Sequence, residues 1–436
     1  MPDRPPRQST PQPGTRPGPR PLPLHLMAHA STLMGSRAAL PLWKNGSLPW
    51  KPELASEAEA LRQSLDAAGP SAWTELDAAV AAEALARHEA MLAGIDAYRR
   101  HPYHRELPEP PVAWRQGTTR LLDYRTANSE GGRPVLVVPS LVNRAYILDL
   151  TARRSLMRDF AARGLAPFLL DWDGPGPEEM AFDLSAYITR LGEAIDVVAA
   201  LSGRKPALLG YCMGGNLALA AALRAPQAVD ALVLMATPWD FHAGHGGQAA
   251  LKANGQTAPK ANGQAALVTA LAEPLGTLID GLGCLPVDML NAMFASLDPN
   301  LAARKFAAFA RLKRTSARAR DFVALEDWVN DGVALAAAVA RECLFGWYGD
   351  NTPAKGHWRI GGLPVLPERM TIPTLVLIPE RDRIVPPESA EPLARAIPGA
   401  QVMRIRGGHV GMLLSGRAKT EVYGPLARWL ARTGMQ

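Results

Sequence analysis

The chain has 436 residues, of which 47% are hydrophobic and 20% are charged. This length exceeds what one hydrophobic core usually holds, so a core domain with an extension and a large insertion is expected. A formal net charge of only +6 gives no support to a nucleic-acid partner. Three cysteines are too few, and odd in number, for a disulfide framework, and their spacing suits no metal site, so a reducing cytoplasmic location is predicted. No metal and no cofactor are predicted.

The composition of the first 113 residues predicts a disordered tail followed by helices. Residues 1–24 contain nine prolines and four arginines and too little apolar surface to offset the entropy of ordering, so a disordered tail is predicted. Residues 57–100 are alanine-rich, charged and helix-forming, and a helical extension is predicted over residues 25–113. Leu24 to Trp43 is predicted to be an amphipathic helix that either touches a lipid-like surface or packs on its own protein. No run approaches the roughly 20 apolar residues of a transmembrane helix, and the start lacks a secretory signal's apolar core.

Short apolar runs bounded by turn residues predict the strands of a core domain over 114–236 and 371–436. The runs are residues 134–138, 166–170, 206–209, 231–236, 374–378 and 401–405. Residues 237–370 exceed any simple connection between strands and are predicted to form a cap. Within them, residues 243–264 hold a near repeat of Lys-Ala-Asn-Gly-Gln and are predicted to be flexible.

The most informative motif is a glycine-rich turn around Cys212, between a predicted strand and the helix predicted over 216–224. A nucleophile on such a turn takes a strained backbone, and Gly210 and Gly214, two residues to either side, remove the clashes. Ordinary doubly wound sheets also contain such turns, and a buried cysteine is usually an inert small hydrophobe. The remainder of a triad decides between the two interpretations.

Polar loops follow the last two predicted strands. Asp382 comes after the strand at 374–378, and His409 comes after the strand at 401–405. The order nucleophile, acid, histidine is that of the α/β-hydrolase fold. We therefore predict this fold, with a mostly parallel central sheet, a large helical cap insertion and an N-terminal helical extension.

The three positions predict acyl chemistry. A free thiol is only a few per cent ionised at neutral pH, so His409 is predicted to accept the proton of Cys212. Asp382 is predicted to hold the imidazole tautomer or to assist a hydroxyl nucleophile. The oxyanion needs backbone donors, which are predicted to come from Met213 and from Val142 or Leu141 in the loop after the strand at 134–138.

Other residues compete for these roles. Asp171 and Asp173 are alternative acids, although Asp171-Trp172 is more typical of a structural strand end. Eight further histidines lack the strand-then-glycine context of His409, and they are His25, His29, His88, His101, His104, His242, His245 and His357.

A basic run spans residues 304–320 of the predicted cap. Its members Arg311, Lys313 and Arg314 are predicted either to attract the phosphates of a carrier such as coenzyme A or to form a solvated helix face.

Several motifs jointly resemble those of the polyhydroxyalkanoate synthases, over about residues 115–429. The matching stretches are 138–150, Asp171-Trp172, the G-x-C-x-G-G box at 210–215, Trp328 to Asp331 for W-x-x-D, Tyr348 to Asn351 with Gly356 for Y-x-x-N, and the loops at 382–386 and 408–410.

The resemblance implies an acyltransferase that polymerises 3-hydroxyacyl-coenzyme A into polyhydroxyalkanoate and releases coenzyme A. It implies that Cys212 holds the growing chain, that His409 is its base and that Asp382 promotes attack by the substrate hydroxyl. It also implies a cytoplasmic polymer granule as partner, with a homodimer or a second synthase subunit.

The region before Arg115 departs from the family pattern. It is shorter than the N-terminal domain of single-subunit synthases and longer than that of synthases that need a second subunit, which leaves self-sufficiency and chain-length preference open. Two alternative functions also remain. One is a thiol-dependent intracellular depolymerase or thioesterase that uses water as acceptor, and the other is a non-catalytic granule-surface protein.

Overall fold

The computed structural model describes residues 16–243, 268 and 270–433. The chain divides into two compact units. The first, here called the helical unit, contains Met1–His104 and Asn291–Asn330. The second, called the sheet unit, contains Arg105–Leu290 and Asp331–Gln436. Within the described ranges, no helix has both the length and the apolar character that crossing a membrane requires.

The sheet unit is built around an eight-stranded sheet, and short two-stranded pairs accompany it. In chain order the strands are β1 Val112–Gln116, β2 Thr119–Asp123, β3 Pro134–Val138, β4 Asp149–Thr151, β5 Arg154–Ser155, β6 Ala166–Asp171, β7 Ala207–Tyr211, β8 Ala231–Met235, β9 Cys284–Leu285, β10 Leu335–Ala336, β11 Arg359–Ile360, β12 Leu363–Pro364, β13 Thr374–Pro379 and β14 Gln401–Ile405.

The central sheet has the strand order β1-β2-β6-β3-β7-β8-β13-β14. Antiparallel pairing joins β1, β2 and β6, and every pairing from β6 to β14 is parallel. Strands β3, β6, β7, β8 and β13 are buried at every position, as their unbroken apolar runs predict for parallel strands covered on both faces. The predicted mostly parallel sheet is confirmed, and the loops at its carboxyl edge gather at one place.

Helices cover the sheet and form the helical unit. In chain order they are α1 Leu22–Ala38, α2 Leu40–Lys44, α3 Pro52–Ala68, α4 Pro70–Arg99, α5 Leu156–Ala162, α6 Leu184–Ser202, α7 Met213–Arg224, α8 Ala272–Leu282, α9 Val287–Ser296, α10 Leu301–Ala310, α11 Ala317–Asn330, α12 Ala337–Arg341, α13 Pro387–Ala396, α14 Gly411–Leu414 and α15 Gly424–Thr433. Two π-helical segments, Glu342–Gly349 and Lys419–Tyr423, interrupt this series.

The core of the helical unit lies between α4, α10 and α11. Tyr98 and Phe306 are fully buried and meet edge to face, with ring centroids 5.6 Å apart. The backbones of α4 and α10 also approach closely, because a Cβ added to Gly94 would lie 1.9 Å from the carbonyl oxygen of Phe306. A glycine is therefore required at this crossing.

The structure differs from the predicted tail over residues 16–24. Residues 1–15 lie outside the described range, but Arg16 is fully buried and α1 already begins at Leu22. The cause is an ion pair, 2.6 Å long, between Arg16 Nε and Asp327 Oδ1, which lies 311 positions further along the chain. No local sequence pattern reports such a partner.

The predicted cap over 237–370 is divided between the two units. Residues 291–330 belong with the N-terminal helices, because the apolar faces of α10 and α11 pack against α4. The remaining described part of the predicted cap belongs to the sheet unit. The stretch predicted to be flexible lies outside the described residues, apart from Ala243.

Candidate active site

Cys212 occupies the turn between β7 and α7. Its backbone has φ 56° and ψ −130°, a positive φ that a residue other than glycine rarely adopts. The turn holds this geometry because the Cys212 amide donates to the Met235 carbonyl at 2.8 Å and the Gly215 amide donates to the Cys212 carbonyl at 2.9 Å. Cys212 is also the N-cap of the 12-residue helix α7.

The glycines around Cys212 are required by close backbone contacts. A Cβ on Gly210 would lie 2.4 Å from the Cα of Gly215. A Cβ on Gly214 would lie 2.1 Å from the carbonyl oxygen of Val138. The strand β7, the turn and the end of β3 are thus packed backbone to backbone, which is why the motif carries glycine at both positions.

Asp382 and His409 meet in a buried hydrogen bond, 2.7 Å between Oδ2 and Nδ1. The other oxygen of Asp382 accepts from the amides of Ile384 and Val385 at 2.8 and 2.9 Å. Both carboxylate oxygens therefore have donors, and the His409 Nδ1–H donates to the carboxylate. This tautomer leaves Nε2 of the ring available to a thiol.

The loops that carry the acid and the histidine are joined to each other, because the Arg381 amide donates to the Gly407 carbonyl at 2.8 Å. The pKa of His409 is the result of opposed effects. Burial lowers it, but the charge of Cys212, the hydrogen bond that His409 donates to Asp382, the contact with the Cys212 sulfur and the charge of Asp382 together raise it to about 10. The surroundings of His409 thus favour its protonated form.

The ring of His409 has a further neighbour, Tyr211, which directly precedes Cys212. The two rings lie 5.2 Å apart between centroids at an angle of 32°, and the Tyr211 hydroxyl donates to the His409 carbonyl at 3.3 Å. Burial raises the pKa of Tyr211, so the phenol remains a proton donor. Sequence reasoning missed this residue, although its position within the glycine-rich box was the available signal.

The residues predicted to hold an oxyanion belong to α7 and to the loop after β3. Met213 is the first residue of α7, where a backbone N–H has no acceptor within the helix. In the loop after β3, the Val142 amide donates to the Ser140 hydroxyl at 3.1 Å, whereas the described part of the chain offers no acceptor to the Leu141 amide. Of the two predicted alternatives, Leu141 is therefore the one whose amide has no acceptor among the described residues.

The same loop contacts residues 331–333 of its own unit. Arg144 forms ion pairs with Asp173 and with Asp331, the latter 3.4 Å long. The Val333 amide donates to the Val142 carbonyl at 3.2 Å, and an isolated β-bridge joins Asn143 to Gly332. These contacts fix the loop that carries the predicted oxyanion donors.

A π-helical segment brings Tyr348 within the electrostatic range of Cys212. Burial, and after it the charge of Cys212, raise the pKa of Tyr348, so this phenol also stays protonated. Asn351 supports the segment by accepting from the Phe241 amide at 3.0 Å and donating to Asp240 Oδ1 at 2.8 Å. The sequence showed Tyr348 and Asn351 only as a resemblance, without a role.

The competing acids have other partners. Asp171 pairs with Arg120 and Asp173 pairs with Arg144, so each belongs to a structural ion pair and Asp382 is the carboxylate on His409. Among the competing histidines, His242 contacts the Tyr348 and Gly349 carbonyls, both at 3.1 Å. His245 lies outside the described residues.

The basic residues predicted to contact phosphates belong to the helical unit, whereas Cys212, Asp382 and His409 belong to the sheet unit. Arg311, Lys313 and Arg314 are exposed. The Arg314 guanidinium donates to the Arg100 carbonyl, so part of its role is to join two segments of its own unit. In the part of the chain that the structure describes, no cluster of His, Cys, Asp and Glu is arranged to hold a metal ion.

A family model described as the alpha/beta hydrolase fold matches residues 133–415. This range covers the central sheet from β3 to β14 and the turn, acid and histidine loops at its carboxyl edge. The chain is therefore an α/β-hydrolase-fold protein with a cysteine at the turn that carries the nucleophile in that fold.

Curated relatives identify the family within the α/β-hydrolase fold to which the chain belongs. The chain is 31% identical over 304 residues to "Poly(3-hydroxyalkanoate) polymerase subunit PhaC" of Synechocystis sp., covering 68% of this chain and 77% of the relative. The proteins of the same name from Allochromatium vinosum and Haloferax mediterranei are 28% and 29% identical, covering 71% and 73% of this chain and 85% and 63% of the relative. The chain belongs to the poly(3-hydroxyalkanoate) polymerase family. It spans less than two thirds of the Haloferax relative's length.

Proposed function

We propose that the chain is an acyltransferase that polymerises 3-hydroxyacyl-coenzyme A into polyhydroxyalkanoate, with Cys212 as the carrier of the acyl group. One observation carries the proposal: a polymerase-family chain has a strained cysteine on the strand-to-helix turn, in contact with a histidine that a buried carboxylate orients. Each member has a separate task in the two half-reactions.

In the first half-reaction, His409 Nε2 holds the thiol proton and the Cys212 thiolate attacks the thioester carbonyl of the substrate. The bond from sulfur to the acyl carbon forms, and the bond from that carbon to the coenzyme A sulfur breaks. The His409 imidazolium delivers its proton to the departing sulfur, so free coenzyme A leaves. One thioester replaces another, and the step is close to balanced in free energy.

In the second half-reaction, the hydroxyl of another 3-hydroxyacyl-coenzyme A attacks the acyl group on Cys212. His409 takes the hydroxyl proton, the new ester C–O bond forms, and Cys212 departs as a thiolate. The product is one unit longer and still a coenzyme A thioester, so the first half-reaction loads it again. Asp382 acts through His409, because both of its oxygens already accept hydrogen bonds.

Both half-reactions develop negative charge on the acyl oxygen. We assign its stabilisation to the Met213 amide at the start of α7 and to the Leu141 amide in the loop after β3. Preorganised backbone donors of this kind typically contribute about 10²–10³ in rate for each donor. The contacts of Val142 and Arg144 with the segment after α11 hold this loop in place.

The two alternative functions differ from a polymerase in what happens to the acyl group. A depolymerase or thioesterase would pass the acyl group from Cys212 to water, and a granule-surface protein would do no chemistry at this turn. A passive surface would not need a cysteine in a strained conformation beside an oriented histidine, since such strain persists only where the surroundings enforce it. Membership of a polymerase family favours transfer to a hydroxyl over transfer to water.

We further propose that the chain works in the cytoplasm at the surface of its polymer granule, as a homodimer or with a second synthase subunit. Exposed apolar side chains on α1 support a surface contact, because Met27 and Met34 are 69% and 74% exposed. Arg311, Lys313 and Arg314 remain proposed contacts for coenzyme A phosphates.

The deciding experiment measures coenzyme A release and polymer formation by the purified chain in the same reaction. The polymerase assignment requires both, with one coenzyme A released for each unit added. Release without polymer identifies a thioesterase, and neither product from either 3-hydroxybutyryl- or longer 3-hydroxyacyl-coenzyme A identifies a non-catalytic protein or a chain that needs its second subunit. Adding a lysate fraction that contains a second subunit separates these last two outcomes.

A further inference from the structure

A groove in the helical unit lies between α1, α4 and α10. Its volume is about 520 Å³, which is within the range of about 300–1,000 Å³ typical of small-molecule sites. Small side chains form its walls, among them Ala90 on α4 and Ala307 on α10. Leu33 is the one large aliphatic side chain among the lining residues, so polar and charged groups make up much of the remaining surface.

His29 on α1 lines the groove and is only 6% exposed. Its ring stacks on His88, with centroids 5.6 Å apart and an angle of 15° between the planes. The Nε2 atom of the ring is buried and has no hydrogen-bond partner among the described residues. A buried polar atom without a partner is costly, so a ligand or ordered water that reaches Nε2 is favoured.

The rim of the groove is cationic. Arg87, Arg304 and Arg311 line it together with one carboxylate, Glu83. Arg87 pairs with Glu83 at 2.7 Å, but both side chains are more than half exposed. An exposed ion pair contributes little free energy, so Arg87 can leave Glu83 to bind an anionic ligand. Arg304 pairs with Asp298, whereas the described part of the chain gives Arg311 no ion pair. The site thus has an excess of guanidinium groups.

We propose that this groove binds a phosphate monoester. Guanidinium groups bind phosphate oxygens through paired, charge-assisted hydrogen bonds, and three of them surround the groove. A hydroxyl on the ligand, or the protonated oxygen of the phosphate itself, donates to the unpartnered Nε2 of His29. The chemistry is shared by free phosphate and by a phosphorylated nucleotide, and the groove is large enough for either.

Binding to the full chain tests the proposal by isothermal titration calorimetry at low salt, with inorganic phosphate and adenosine 3′,5′-bisphosphate as probes. The double variant Arg304→Gln/Arg311→Gln is expected to weaken binding of the tighter probe at least tenfold. The matched control is Arg318→Gln/Arg320→Gln, which removes the same charge from two exposed arginines of the same unit that do not line the groove. The control is expected to change binding less than twofold.

His29→Phe keeps an aromatic ring against His88 and removes the ring nitrogens. We expect it to weaken binding at least fivefold while circular dichroism and the thermal unfolding midpoint stay close to those of the native chain. If His29→Phe does not fold, the pair of arginine variants decides the question. Tighter binding of the nucleotide than of free phosphate identifies the nucleotide as the source, and equal affinity identifies the phosphate group alone. Absence of binding at 10 mM of either probe, or equal losses in the groove and control variants, overturns the proposal.

Discussion

Each unit contains a buried cluster of charged side chains, and the two clusters are satisfied in different ways. In the helical unit, the Arg16 guanidinium binds both oxygens of Asp327 and the carbonyls of His101 and Tyr103, and Asp327 also accepts from the Tyr98 hydroxyl. In the sheet unit, both oxygens of Asp382 accept hydrogen bonds, but its partner His409 contacts the thiol of Cys212, which is a reactive group.

A reactive cluster differs from a structural one in having an atom that no structural hydrogen bond occupies. Arg16 has hydrogen-bond partners for all three of its guanidinium nitrogens, so nothing is left to meet a substrate. His409 keeps one nitrogen for a group that is itself a nucleophile on a strained turn. Burial and charge are similar in the two clusters and do not distinguish them. The nitrogen of His409 that faces Cys212 does distinguish them, because no such atom remains on Arg16. Variants of the two clusters are therefore expected to affect different properties.

Replacing the nucleophile is expected to have the largest effect. Cys212→Ala removes the only atom that can carry the acyl group in this scheme, so the rate of coenzyme A release is expected to fall about 10⁴-fold or more. Cys212→Ser is expected to fall nearly as far, because a hydroxyl is far less acidic than a thiol. A thiol-alkylating agent is expected to label Cys212 ahead of Cys284 and Cys343. Substantial turnover by Cys212→Ala would remove the basis of the enzyme assignment.

The other two members of the site are expected to separate by half-reaction. His409→Gln is expected to block loading of Cys212, because no other group in the scheme takes the thiol proton. Asp382→Asn is expected to permit some loading and to slow chain transfer more strongly, since a thiol gives up its proton readily, whereas the far less acidic substrate hydroxyl needs the oriented and more basic imidazole that the carboxylate maintains. Single-turnover trapping of labelled acyl groups on the two variants measures the difference. Equal loss of loading in both would reject the division of roles.

In the helical unit, the expected loss is of stability rather than of chemistry. Arg16→Met leaves Asp327 buried without its cation and is expected to lower the free energy of unfolding by about 3–5 kcal/mol. Burial raises the pKa of Asp327 even beside Arg16, so Arg16→Met/Asp327→Leu is expected to recover much of that loss. Denaturant unfolding measures both.

The matched control for Arg16 is Arg37→Met, which breaks the Arg37–Asp77 pair. Its side chains are 54% and 45% exposed, so no measurable change in stability is expected. An Arg16→Met chain as stable as the control would show that the buried pair contributes nothing.

Tyr211 is expected to act as a positioning residue for His409. Tyr211→Phe keeps the ring contact and removes the hydrogen bond to the His409 carbonyl, a loss of about 1 kcal/mol. A fivefold decrease in kcat at unchanged KM is expected, with a parallel decrease in the alkylation rate of Cys212. Tyr211→Leu also removes the ring and is expected to lower kcat further. A change in KM alone would assign Tyr211 to substrate binding instead.

The smallest expected effect is a shift in titration. The charge of Cys212 is the largest of the effects that raise the pKa of His409, while burial lowers it. In Cys212→Ala the pKa of His409 is therefore expected to fall well below about 10, and NMR of labelled histidine measures it. An unchanged pKa would show that the thiol and the imidazole do not interact.

The core was predictable because its signals are local. The unbroken apolar runs of β3, β7 and β13 predict parallel strands, and parallel strands bring their carboxyl-end loops together. Once Cys212, Asp382 and His409 were each assigned to the end of a strand, their meeting followed from topology. The contact between Tyr211 and His409 was not predictable, because ring orientation depends on the loop conformation.

The helical unit was less predictable because its organising contacts are distant in sequence. Arg16 lies in a proline-rich stretch that composition assigns to a tail, and its partner is 311 positions away. The same holds for α10 and α11, which were assigned to the cap by position in the chain but pack their apolar faces on α4. Composition and periodicity predict that a helix exists, not which surface it covers.

The central claim is that Cys212 carries the acyl group. The most direct test incubates the full chain briefly with isotopically labelled 3-hydroxybutyryl-coenzyme A, quenches it in acid, and maps the label by peptide mass spectrometry. We expect a thioester-linked hydroxyacyl mass on the peptide that contains Cys212. The amount of labelled peptide is expected to increase in Asp382→Asn, and the label is expected to be missing in Cys212→Ala. Release of coenzyme A with no label on Cys212, or with label on Cys284 or Cys343 instead, would contradict it.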